Sequence, residues 1–132
     1  MDTLCPCGSN KHFDQCCGAI INGKRQAITA TELMRSRYTA FTLADVDYLM
    51  RSYHSRTRPI RERKQIQAWA KSVKWIGLQI LASEMGNADD SIGYVEFRAI
   101  FSENGKMDQI HEKSLFEREK GNWVYVNGSH SS

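Results

Sequence analysis

The chain has 132 residues, 41% of them hydrophobic, enough for one ordinary core with a small appendage and too few for two full domains. No apolar run approaches the ~20 residues that span a bilayer, which excludes a helical membrane crossing. Met1-Asp2-Thr3-Leu4 lacks a basic region leading into an apolar stretch, so no secretory signal is read there and a soluble, cytoplasmic protein is expected.

The first feature along the chain is its most informative. The four cysteines, Cys5, Cys7, Cys16 and Cys17, all fall within thirteen residues, as two close pairs separated by eight residues. That layout suits metal ligation, and four thiolates suit Zn²⁺ in a closed tetrahedral shell with one structural ion per chain. Disulfides need an oxidising compartment, and adjacent Cys16 and Cys17 would strain if bonded to each other. A redox pair usually reads C-x-x-C, and iron–sulfur sites use spacings unlike this one. Pro6 stiffens the first turn and Gly8 permits positive φ, as a metal knuckle requires. Lys11, His12, Lys24 and Arg25 are near enough in sequence to offset the charge of four thiolates.

Thr29-Ala30-Thr31-Glu32 fits a capping box, opening a helix with Met34, Tyr38 and Phe41 on one face. Thr42 is expected to cap a second helix, striped by Val46, Leu49, Met50 and Tyr53. Residues 54–59 form a polar connection whose Pro59 suits the first turn of a third helix, striped by Ile66, Trp69, Ala70 and Val73. The net charge of +3 is unevenly spread here: residues 51–74 hold eight Lys or Arg against Glu62 alone. Arg56, Arg58, Arg61 and Arg63 form a candidate contact surface for nucleic acid, a ribosome or an acidic peptide. The plainer alternative is a solvated basic face, or one docked on the acidic C-terminal half.

From Trp75 the period becomes two. Ile76, Leu78, Ile80 and Ala82 alternate with Gly77, Gln79 and Leu81, predicting a strand covered on both faces. Residues 86–90 form a turn, and Val95, Phe97, Ala99 and Phe101 then share one strand face. Asn104-Gly105 signals a hairpin, followed by a strand over 109–118, a turn at 120–122 and a strand from Trp123 to Val126. Helices first and an antiparallel meander after them make an α+β plan, a curved sheet wrapped on the helices with a cone between. Residues 129–132 read as a disordered tail.

Two family resemblances rest on these residues. Cys5-Pro6-Cys7-Gly8-Ser9, with Lys11 and Phe13 before Cys16-Cys17-Gly18, resembles the SEC-C motif; Asn10 stands where that motif more often has glycine. The motif is known from the tail of the preprotein translocase motor, where it docks an export chaperone, so the resemblance implies a zinc-binding module over 1–25 and a protein partner. Arg37-Tyr38-Thr39-Ala40-Phe41, Asp47-Tyr48-Leu49, His54, Glu112 to Phe116 and Trp123 to Gly128 resemble the bacterial YchJ-like family. That resemblance implies a nuclear transport factor 2-like (cystatin-like) domain over 29–128 and brings no reaction with it.

The cone supplies a candidate pocket. Tyr38, Tyr48, His54, Trp69, Glu112 and Phe116 are its candidate residues, with Glu112 placed inward by its alternation with Ser114 and Phe116. A buried carboxylate needs a partner, and Tyr38, His54 or an arginine is expected to provide it. Two functional readings follow, the first preferred because the cysteine motif that carries it is dense and specific. One is a zinc-stabilised interaction module with no catalytic residue, recognising a protein or the ribosome. The other is a cup that binds or transforms a small molecule by acid/base chemistry. The exposed face of a curved sheet also suits dimerisation.

Overall fold

The computed structural model describes residues 3–130. Its elements run α1 (Cys17–Ile21), α2 (Ala30–Leu43), α3 (Val46–Arg51), α4 (Arg63–Ser72), then β1 (Lys74–Met85), β2 (Ile92–Glu103), β3 (Lys106–Glu119) and β4 (Asn122–His130). The strands form one antiparallel meander in the order β1-β2-β3-β4. The sheet curls around α2, giving the expected α+β cone.

The capping chemistry shows why α2 begins where it does. The Thr29 side chain accepts from the Glu32 N–H at 3.1 Å, satisfying one orphan donor of the first turn. Glu32 reaches back one residue further than a standard box, to the Ile28 N–H at 2.8 Å. Ala30, Leu33, Met34, Tyr38 and Ala40 are buried on the helix, facing the sheet and the N-terminal segment. Thr42 caps nothing: it lies in the last turn of α2 and its hydroxyl donates to the Thr39 carbonyl. The helix stops at Ala44, in the left-handed region with φ 53°, and Asp45 caps α3 through the Tyr48 N–H.

Both later hairpins turn on two residues of positive φ, Asn104 and Gly105 (55° and 78°) and then Lys120 and Gly121 (53° and 84°). Such turns match the right-handed twist of the strands they join. Val95, Phe97, Ala99 and Phe101 of β2 are buried against the helices, as their alternation requires. β1 differs from the sequence expectation. It is an edge strand with two register shifts, each leaving one residue unmatched, Ile76 and Leu81. These two, with Met85, are 40–53% exposed, so the strand is not covered on both faces. The bulges change which face each apolar residue takes, and they add the curvature that forms the cone.

Two further corrections concern the chain ends. Ser129 and His130 are no tail: they extend β4 by pairing with Lys113 and Glu112, since β3 is long enough to offer partners there. Ser131 and Ser132 lie outside the described residues. The N-terminal cysteines belong to the same continuous core as Leu33, Tyr38 and Phe97. The segment around the cysteines is therefore built into one end of the cone.

Candidate functional site

The cysteine centre is assembled by short-range hydrogen bonding. Leu4 and His12 form an isolated antiparallel bridge, the Cys5 N–H donates to the Lys11 carbonyl at 2.8 Å, and the Gly8 N–H donates to the Cys5 carbonyl. Gly8, at φ +83°, and Asn10, at φ +67°, turn the chain between the two arms. A single turn of 3-10 helix, Phe13–Gln15, then delivers Cys16 and Cys17 at the start of α1. All four thiols are free and buried, and their sulfurs lie within 4.8 Å of one another. Cys7 Sγ is 3.7 Å from Cys16 Sγ, which is 4.0 Å from Cys17 Sγ. Sulfurs bound at ~2.3 Å around a tetrahedral zinc stand about 3.8 Å apart, so the group can hold a metal ion with little rearrangement.

Neighbouring groups support the cluster. Ser9 Oγ lies 3.2 Å from Cys16 Sγ and Thr39 Oγ1 lies 3.6 Å from Cys5 Sγ, tying the sulfurs to their own loop and to α2. Arg35, not among the expected basic residues, donates to the Cys7 carbonyl at 2.7 Å. Arg25 pairs with Glu32 at 2.9 Å and, with Lys11 and Arg35, borders a hollow beside Cys16 and Cys17. His12 and Lys24 are not among its walls. The thiols divide unevenly among themselves. Hydrogen bonds with Cys17 and Cys5 hold Cys7 far below the ordinary thiol range, burial pushes Cys16 up, and hydrogen bonding to Cys5 pushes Cys17 up. A bound dication favours the thiolate at every position.

The cone encloses a second site, a cavity of about 250 Å³ walled by Tyr38, Phe41, Tyr53, Trp75, Phe97 and Tyr125 among others. Glu112, only 7% exposed, presents its carboxylate there. Its Oε2 accepts from the Tyr125 hydroxyl at 2.7 Å and from Ser114 Oγ at 2.5 Å, while Oε1 lies 3.4 Å from His130 Nε2. Burial first, and then the negative charge of Glu112, raise the Tyr125 phenol well above its usual range. Arg37 is buried beside this group, its guanidinium 4.4 Å from the ring centres of both Tyr53 and Tyr125. Its Nη1 donates to the Leu49 carbonyl and to Ser52 Oγ.

Of the six candidate pocket residues, only Tyr38 and Glu112 line this cavity. The Tyr48 hydroxyl pairs with Ser36 Oγ at 2.6 Å, and its side chain borders a separate groove of about 470 Å³. His54 is held outside the cup, where its N–H donates to the Tyr125 carbonyl and its Nδ1 sits 3.6 Å from a Glu119 oxygen. Trp69 packs edge-on to Phe41, Trp75 and Phe101, with ring centres 5.3–6.4 Å apart. Phe116 is fully buried against Tyr125. The partners expected for Glu112, Tyr38 and His54, are not its partners; Tyr125, Ser114 and His130 are. The turn at 120–121 sets Phe116 opposite Tyr125, a register the hairpin signal contains, but the following bulge hides where Gly128 and His130 fall.

Of the basic stretch, Arg56, Arg61 and Arg63 are exposed and Arg58 is half-buried. Arg56 pairs with Glu117 at 3.6 Å, Arg63 with Asp47, and Arg58 Nη2 donates to the Tyr53 carbonyl. Among the described residues, Arg61 and Lys64 are exposed and take part in no ion pair.

A nuclear transport factor 2-like cone with a four-cysteine knuckle at one end defines the class of protein. The chain belongs to the YchJ-like family: residues 29–128 match its middle NTF2-like domain, and residues 3–19 match the SEC-C motif. It is 41% identical to UPF0225 protein GSU1048 of Geobacter sulfurreducens over 128 residues, 97% of this chain and 80% of the relative. UPF0225 protein SCO1677 of Streptomyces coelicolor is 42% identical over 124 residues, covering 94% and 93%. Among solved structures, the SEC-C motif containing protein RPA3114 of Rhodopseudomonas palustris superposes with a TM-score of 0.87 at 33% identity, covering 98% of this chain and all of that one. A SEC-C motif containing protein of Psychrobacter arcticus does so with a TM-score of 0.81 at 27% identity, covering 98% and 84%. No helix among the described residues is long and apolar enough to cross a membrane.

Proposed function

We propose that the cysteine centre carries one structural zinc ion and that the cone it braces is a receptor for a small molecule. The observation that carries this reading is the buried Glu112 carboxylate, presented to a partly open cavity with six aromatic residues among its other walls. Apolar concavities with a few convergent polar groups are the usual form of small-molecule sites. Zinc fits the donor set, because Cys5, Cys7, Cys16 and Cys17 supply four soft ligands. Four ligands close the shell and leave no position for an activated water, so the metal's contribution is to folding. Reduced thiols fit the cytoplasm. An NMR titration of the metal-loaded protein with a fragment library tests the receptor role. Saturable shifts at Tyr38, Trp75 and Tyr125 support it, and a silent cup overturns it.

A protein partner is the second reading, favoured by the unpaired outer edge of β1 with exposed Ile76, Leu81 and Met85. A partner whose contacts vanish on Ile76→Lys while the cup stays unperturbed supports this second role. The ion pairs made by Arg56 and Arg63 weaken the nucleic-acid alternative. Binding of RNA that falls steeply with salt would restore it.

A further inference from the structure

We infer that the cup selects a small organic cation, with a primary ammonium group on the Glu112 carboxylate and a flat apolar body against Tyr38, Phe41 and Trp75. The inference rests on the reading of the cup as a small-molecule site.

The carboxylate is placed there by design of the backbone. Gly128 of β4 pairs with Ser114 of β3, and a Cβ at this glycine would overlap the Glu112 side chain. The niche therefore exists only because residue 128 has no side chain. Within it, Oε2 takes both neutral donors, Tyr125 and Ser114. Among the described residues, Oε1 is left with His130 alone, at 3.4 Å and on a side chain 69% exposed at the rim. A carboxylate accepts about four hydrogen bonds, so Oε1 retains acceptor capacity toward the cavity.

The basic groups on the wall leave Glu112 Oε1 accessible as an acceptor. Arg37 and His130 are the basic groups on its wall, and Glu112 is its acid. Arg37 is sandwiched between the Tyr53 and Tyr125 rings, and its Nη1 is spent on Leu49 and Ser52. It meets Glu112 only through Tyr125, so it balances charge without occupying Oε1. A ligand ammonium can take that oxygen in a charge-assisted hydrogen bond, about twice as strong as a neutral one. A volume of about 250 Å³ limits the ligand to on the order of ten non-hydrogen atoms at interior packing density.

Calorimetry on the full, metal-loaded chain with three probes of matched size tests this: 2-phenylethylammonium, 2-phenylethanol and phenylacetate. The ammonium is expected to bind at least about tenfold more tightly than the alcohol, and phenylacetate most weakly. Glu112→Gln should abolish the preference for ammonium over the alcohol. The comparison of three probes on the unsubstituted protein stands even if the variant folds poorly. Equal binding of ammonium and alcohol, or tighter binding of phenylacetate, overturns the cation assignment and leaves a receptor for another class. Binding of none of the three overturns the cation assignment as stated, and the receptor role falls only if the cup is also silent in the fragment titration.

Discussion

The cysteine centre and the cup both bury groups that carry charge, but they satisfy them by opposite means. In the centre, four sulfurs from one thirteen-residue stretch converge on each other, and the shell is complete once a cation sits among them. In the cup, Glu112 draws its partners from two strands, and among the described residues one of its oxygens has only the exposed His130 beside it, at 3.4 Å. The closed arrangement suits a structural ion, and the open one suits the proposed ligand. The two regions share α2, whose Thr39 touches Cys5 while Tyr38 lines the cup. A metal bound at the cysteines is therefore expected to be felt in the cone.

That contrast can be broken from either side. The largest effect is expected from Cys7→Ser, at a position with 0% exposure. Loss of a structural zinc removes several kcal/mol or more, so metal content should fall to zero and Tm by more than about 10 °C. Because the cysteines share the core of α2, near-ultraviolet circular dichroism from the cone aromatics should change as well. An unchanged aromatic spectrum would show the two regions to be independent. Phe116→Ala, beneath Tyr125, should cost about 3–5 kcal/mol in denaturant unfolding while the protein keeps its metal.

Gly128→Ala sharpens the comparison more gently. The new methyl must displace Glu112, at a cost of about 1–3 kcal/mol, and ligand selection in the cup should be lost with metal content intact. Thr29→Ala removes the cap of α2, the helix common to both regions, and should cost about 1 kcal/mol in Tm-derived stability.

The smallest expected effect concerns pH. Burial raises the Glu32 pKa, but the Arg25 hydrogen bond and the Ile28 N–H together outweigh it and leave the carboxyl below its ordinary value. A depressed folded pKa gives stability that is present above the unfolded value, about 4.3, and is lost as pH falls through the folded one. The Tm advantage over Glu32→Gln should therefore shrink below about pH 4.3 and stay constant above pH 6.

What could be read from the sequence follows the same division. The cysteine cluster, the Thr29 cap and the Asn104-Gly105 turn each depend on residues a few positions apart, where spacing and geometry are nearly the same thing. Glu112 was legible as an inward carboxylate because strand alternation is local too. Its partners were not. The bulge past Phe116 shifts the register of β4, so Gly128 and His130 reach Glu112 from positions that a simple hairpin would not give them. The exposure of β1 was hidden for a related reason, since two bulges change the face its apolar residues take. Thr42 was misjudged because its hydroxyl bonds back to Thr39 within the helix, leaving the cap to Asp45.

The most direct test of the account is native mass spectrometry of the protein purified without added metal, before and after chelation, combined with thiol alkylation. One zinc per chain, with all four cysteines protected until the chelator removes it, is the predicted result. A metal-free chain whose cysteines alkylate at once, or are found oxidised in pairs, would contradict it.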